Sequence, residues 1–148
     1  MNWVWKEFKE LTLQELYSII QVRERVFIVE QKLSYVDCDN YDQKAWHLMG
    51  FQDGQLVAYL RAFAPEVKFM EASFGRVLVT AEARRVGTGK ELTATGLKKM
   101  KETFGNVPVR ISAQAYLEKF YQNFSFKTVS EEYLEENIPH LQMLIYQK

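Results

Sequence analysis

One cysteine, three prolines and seven glycines are spread over 148 residues, and each scarcity excludes something. The lone Cys38 rules out an internal disulfide and a cysteine-rich zinc site, and no other metal cluster suggests itself. A single thiol fits a reducing compartment, so a cytoplasmic protein is expected. No apolar run reaches the ~18 residues that a membrane span needs. The start, MNWVWKEFKEL, lacks the basic-then-apolar order of a signal peptide. Net charge is missing too: 19 Lys and Arg balance 19 Asp and Glu, without the basic surplus of a general nucleic-acid binder. Repeats, low-complexity stretches and linkers are absent, so residues 1–148 read as one domain.

Apolar residues are plentiful, at 47%, with 14% aromatic, which a chain of this size needs for an unstapled core. Residues 2–8 suggest a strand. Thr12 and Glu15 have capping-box spacing, and Leu13, Leu16, Tyr17 and Ile20 follow at helical intervals. VFIVEQ, residues 26–31, turns abruptly from apolar to polar, and residues 32–46 suggest a long loop. Asp53-Gly54 predicts a hairpin over residues 47–63. A strand over 73–80, a helix over about 87–104 and an alternating strand at Val107, Val109, Ile111 and Ala113 follow. Residues 116–124 suggest a short helix with Leu117, Phe120, Tyr121 and Phe124 inward. Strands are expected over 126–134 and 141–147. This order predicts an α/β or α+β domain with a mixed sheet.

The chemistry concentrates between Val77 and Lys90, where an apolar strand, a basic turn and a helix succeed one another. A helix start exposes free N–H groups and partial positive charge. Gly87 and Gly89 permit close approach, and Arg84, Arg85 and Lys90 add charge, which makes an anion cradle suited to a phosphate or diphosphate. The dinucleotide fingerprint fails because Leu92 stands at its third glycine, and the Walker pattern of phosphate loop fails for want of its Gly-Lys-Ser/Thr ending.

Arg84-x-x-Gly87-x-Gly89 after a strand resembles the acetyl-CoA signature of the GNAT N-acetyltransferase superfamily. Residues 113–126, AQAYLEKFYQNFSF, resemble its later strand–helix motif, in which an amide residue, here Gln114, stands seven before a tyrosine, here Tyr121. Gln114 replaces the commoner asparagine and Ser125 the usual glycine. VFIVEQ, the acidic loop to Asp42, His47-Leu48, Gly75-Arg76-Val77 and Ile138-Pro139-His140 resemble the ElaA-like branch; Ser34 and Asn137 depart from its proline and glycine.

The resemblance implies a GNAT-like, mostly antiparallel twisted sheet flanked by helices, and acetyl-CoA as cosubstrate. Backbone groups of Val77, Leu78 and Val79 would pair with the pantetheine arm. Amides of Arg85, Val86, Gly87, Thr88, Gly89 and Lys90 would hold the diphosphate beside Arg84, and Gln114 would line the same site. Tyr121 would protonate the departing thiolate. The reaction would be direct attack by a primary amine on a small molecule or peptide.

A lysine-like amine has a pKa of ~10.4, so deprotonating it at pH 7 costs about 4.6 kcal/mol. Glu30 and His140 are the first candidates for the base or for acceptor binding, and His47 is next. Cys38 has no basic helix terminus beside it to make it a nucleophile. Acidic blocks at residues 30–42 and 131–136 would attract a cationic acceptor. A non-catalytic acyl-CoA-binding sensor and a nucleotide-phosphate site are the alternatives, and oligomeric state is open.

Overall fold

The computed structural model describes residues 1–147. An N-terminal antiparallel sheet runs in chain order through β1 (Asn2–Glu7), β2 (Trp46–Gln52), β3 (Gln55–Phe63) and β4 (Ser73–Val79). A second sheet holds β5 (Val109–Gln114), β8 (Ile138–Ile145) and β6 (Lys127–Thr128) in that order, with β7 (Tyr133–Glu135) also on β8. Three α-helices, α1 (Leu13–Arg23), α2 (Thr88–Phe104) and α3 (Glu118–Gln122), complete the mixed α/β fold expected from the sequence.

Local chemistry starts each element. Thr12 caps α1 as its spacing predicts: Glu15 N–H donates to Thr12 Oγ1 at 3.0 Å, and Thr12 N–H donates to Glu15 Oε1 at 2.8 Å. Asp53 and Gly54 both take positive φ, as the two-residue turn between β2 and β3 requires. β5 buries Val109, Ile111 and Ala113 and turns the residues between them outward. The region expected as one strand over 126–134 is instead two short pieces. Between them the bend at Ser130–Glu132 leaves the ladder, and Ser130 Oγ accepts the Gln142 N–H at 2.8 Å.

The two faces of the first sheet are covered differently. Ile19, Val22, Val26 and Phe27, from α1 and the segment after it, pack on Met49, Tyr59 and Leu78. On the other face, Leu92 and Met100 of α2 join Leu48, Leu60 and Phe74. This second cluster continues into Val109, Ile111, Tyr121 and Met143, so both sheets share it. Gly96 brings α2 against β3: a Cβ there would lie 2.8 Å from Leu60 Cδ2.

His47 belongs to this framework rather than to a reaction. It is fully buried, Nε2 donates to the Asp42 carbonyl at 2.9 Å, and Nδ1 therefore accepts from Tyr59 Oη at 2.7 Å. The candidate base of the sequence reading is thus a neutral strut between loop and hairpin. Burial pushes its pKa below the ordinary 6.5. Below pH 6.5 the unfolded chain takes up a proton that the folded one resists, so stability is full above 6.5 and declines as acid moves toward the folded value. Unfolding free energy measured from pH 7.5 to 5.5 is expected to fall in the native chain and to stay flatter in His47→Gln; equal slopes would contradict this role.

Candidate active site

Among the described residues, backbone pairing joins the β4 side to β5 at a single place. Ala72, just before β4, donates its N–H to the Pro108 carbonyl at 3.1 Å and accepts from Arg110 N–H at 2.9 Å, a single parallel bridge to Val109. Beyond it β5 pairs with β8 instead, and the two strands line opposite walls of a cleft of about 950 Å³. Val26, Phe27 and Glu30 form another side, Leu33, Tyr35, Val36 and Asp39 a further one, and the turn before β8 closes it with Glu135 and Glu136.

A bulge shapes the β4 wall. Tyr59 faces Leu78 and Arg61 faces Gly75, so two steps along β3 match three along β4. Arg76 sits inside the bulge at φ 50°, a left-handed conformation that costs a non-glycine residue about 1 kcal/mol or more. Its guanidinium is held by Asp37, with Nε 2.8 Å from Oδ1 and Nη2 3.2 Å from the carbonyl. At the end of β4, Thr80 N–H donates to Val57 O at 2.8 Å. Alternation along the strand then turns the polar groups of Val79 to the edge away from β3.

The basic turn at residues 84–90 follows directly. Arg85 and Gly87 both take positive φ, at 68° and 84°, and Gly87 precedes the first turn of α2. No side chain caps this helix, and its first intrahelical bond is Glu91 N–H to Gly87 O at 3.1 Å. The N–H groups of Thr88, Gly89 and Lys90 are therefore orphans of the helix start. A Cβ on Gly87 would meet nothing within 4 Å, while one on Gly89 would touch Val79 Cγ2 at 3.9 Å and Phe120 at 4.0 Å. The cradle is open outward and seated on the end of β4 and on α3, and its basic, uncapped backbone fits a diphosphate.

Tyr121, Gln114, His140 and Glu30 all line the cleft. Tyr121 is only 4% exposed and rests on Phe74 of β4, with ring centroids 6.1 Å apart. Burial pushes its phenol above the ordinary value, and Tyr116 adds to the shift. Gln114 pairs with His140 across β5 and β8. His140 Nδ1 donates to the Ile138 carbonyl at 2.7 Å, which leaves Nε2, 3.4 Å from Glu135 Oε2, as the nitrogen able to take a proton. Glu30 ends a π-helical turn, Glu24–Glu30, that continues α1, and its Oε2 accepts from Arg84 Nη2 at 2.7 Å. Glu135 beside His140 is a cleft carboxylate that the acidic run hinted at without singling it out.

The acidic loop itself departs from expectation. Its carboxylates do not face solvent as an attractive patch. Asp37 and Asp42 each accept from Arg23 at 2.6 Å, and Arg61 bonds Asp42 at 2.9 Å and Asp39 at 2.5 Å. Burial alone would raise the Asp39 carboxyl, but hydrogen bonding to Arg61 and its charge hold it well below the usual range. Three arginines thus neutralise three aspartates, while Glu135 and Glu136 of the second acidic block also line the cleft.

The cleft between β4 and β5 lies beside the uncapped start of α2. Residues 14–146 match the Acetyltransferase (GNAT) domain, and the chain belongs to that family. It is 40% identical to an acyl-CoA N-acyltransferase of Pseudomonas aeruginosa over 97% of both chains, with a TM-score of 0.93. ElaA of Escherichia coli superposes with a TM-score of 0.90 at 34% identity, covering 97% of each chain. A UPF0039 protein of Synechocystis sp. is 37% identical over 97% of this chain and 94% of its own length.

Removing one member of the buried network strands its partners. Arg23→Met is expected to cost about 3–5 kcal/mol in urea unfolding, because Asp37 and Asp42 lose a buried counter-charge. Arg110→Met, which breaks a more exposed pair with Glu71, is expected to cost at most ~1 kcal/mol. Equal costs would contradict the network's place in the fold.

Proposed function

We propose that the protein is an N-acetyltransferase that moves an acetyl group from acetyl-CoA to a primary amine by direct attack. The observation that carries this reading is the cleft between β4 and β5 running up to the uncapped start of α2. Acetyl-CoA would supply the activated thioester. The amides of Thr88, Gly89 and Lys90 offer donors to a diphosphate, and Arg84 and Arg85 offer charge. The free edge of β4 at Val77–Val79 offers backbone groups to an extended arm in the manner of an added strand.

Tyr121 supports the chemical step. A phenol held above its ordinary pKa stays protonated at neutral pH, so it can donate to a departing thiolate. A mere acyl-CoA sensor needs no such donor on the cleft wall. Glu30 and the His140–Glu135 pair are the candidates for taking the proton that the acceptor's ammonium must lose before the neutral amine attacks. Glu135 and Glu136 give the acceptor side of the cleft its negative charge, which favours a cationic small-molecule or peptide amine.

Calorimetry should register binding of CoA and acetyl-CoA but not of ATP, which lacks the pantetheine arm. Thiol release should accelerate with at least one member of a panel of polyamines, aminoglycosides, amino acids and peptides. Tyr121→Phe should then lower turnover about 10²-fold while CoA affinity stays within about twofold. Binding without any amine-stimulated release would favour the sensor, and unchanged turnover in the variant would remove Tyr121 from the acid role.

A further inference from the structure

The Arg84 guanidinium spans the rim of the cleft. Its Nε donates to the Val79 carbonyl at 2.8 Å and its Nη2 to Glu30 Oε2 at 2.7 Å. Both contacts occupy groups that the proposed reaction needs. Val79 O lies on the edge of β4 that faces away from β3, where an acyl donor's arm would pair. Glu30 is a candidate proton acceptor, and its Oε2 is taken up by this guanidinium. A second, longer pair, Arg25 to Glu82 at 3.9 Å, joins the same two elements, the π-helical turn and the turn before the cradle.

We propose that Arg84 is an exchange residue that makes loading of the donor the condition for a working Glu30. This inference rests on the acyl-CoA reading above. Arg84 is paired with Glu30 and covers Val79 O. One residue beyond Arg84 begins the row of amides from Arg85 to Lys90 that fits a diphosphate. An anion bearing at least two charges there competes with a single, partly exposed carboxylate for the same guanidinium. Once Arg84 turns to the anion, the β4 edge is uncovered and Glu30 is left as a free carboxylate on the cleft wall. The amine then meets an available base only when the donor is in place. Arg84 acts here as a positioning residue; it touches neither the thioester nor the amine.

The test is a double-mutant cycle read by CoA affinity, with no acceptor required. Removing Glu30 releases Arg84, so Glu30→Gln should tighten CoA binding about two- to fivefold, the worth of a partly exposed pair. Arg84→Ala should weaken binding, and in that background Glu30→Gln should change nothing. An unchanged or weaker affinity in Glu30→Gln overturns the exchange. Equal tightening with and without Arg84 also overturns it, because that is simple relief of repulsion between Glu30 and the phosphates. In crystals grown with CoA, Glu30 and Arg84 should stand more than ~4 Å apart, and a retained pair is contrary evidence. Failure of the native chain to bind CoA sinks the acyl-CoA reading itself, whereas binding with an additive cycle sinks the exchange alone.

Discussion

Everything at the site depends on how little β4 and β5 pair. Two backbone hydrogen bonds at Ala72 hold the strands together at one end, and no ladder continues from there. Had the ladder continued, the edge groups of β4 would be spent on β5 and no cleft would exist. Instead β5 gives its pairing to β8 along six residues. The shared core of Phe74, Ile111, Tyr121 and Phe126 keeps the two sheets attached where hydrogen bonds do not. Apolar burial thus replaces a sheet ladder at the one place where the protein requires an opening.

The wall so exposed is held under strain. The bulge at Arg76 places a long charged side chain in a left-handed conformation, and the aspartates of the 34–42 loop are what that side chain binds. The same loop reaches Arg23 of α1 and Arg61 of β3. One ionic network therefore ties together the helix, the hairpin and the bulged strand beside the cleft. Such a network adds little net stability over an apolar core but fixes geometry, since each carboxylate has a defined set of partners.

Features set by neighbours in sequence were legible beforehand. The Thr12–Glu15 cap, the Asp53-Gly54 turn, the alternation of β5 and the basic glycine turn at 84–90 each arise within a few residues, where steric and capping rules act directly. The turn at 84–90, with residues 113–126 and 138–140, carried the family resemblance, and with it Tyr121, Gln114 and His140, which line the cleft. Partners far apart in sequence were not legible. Counting charge marked residues 30–42 as an acidic patch, but the neutralising Arg61 and Arg76 lie in other strands. His47 looked like a candidate base until Tyr59 and the Asp42 carbonyl claimed both its nitrogens. The link between Glu30 and Arg84 bridges 54 positions, beyond any local pattern.

On the proposed reading, the outer edge of β4 and the uncapped start of α2 form one receptor for a single extended ligand. Amide hydrogen exchange, followed residue by residue with and without saturating CoA, tests it most directly. The account predicts slower exchange at Val79 and at Thr88, Gly89 and Lys90 together, with β1 unchanged. Protection confined to other segments, or none at either place, would contradict it.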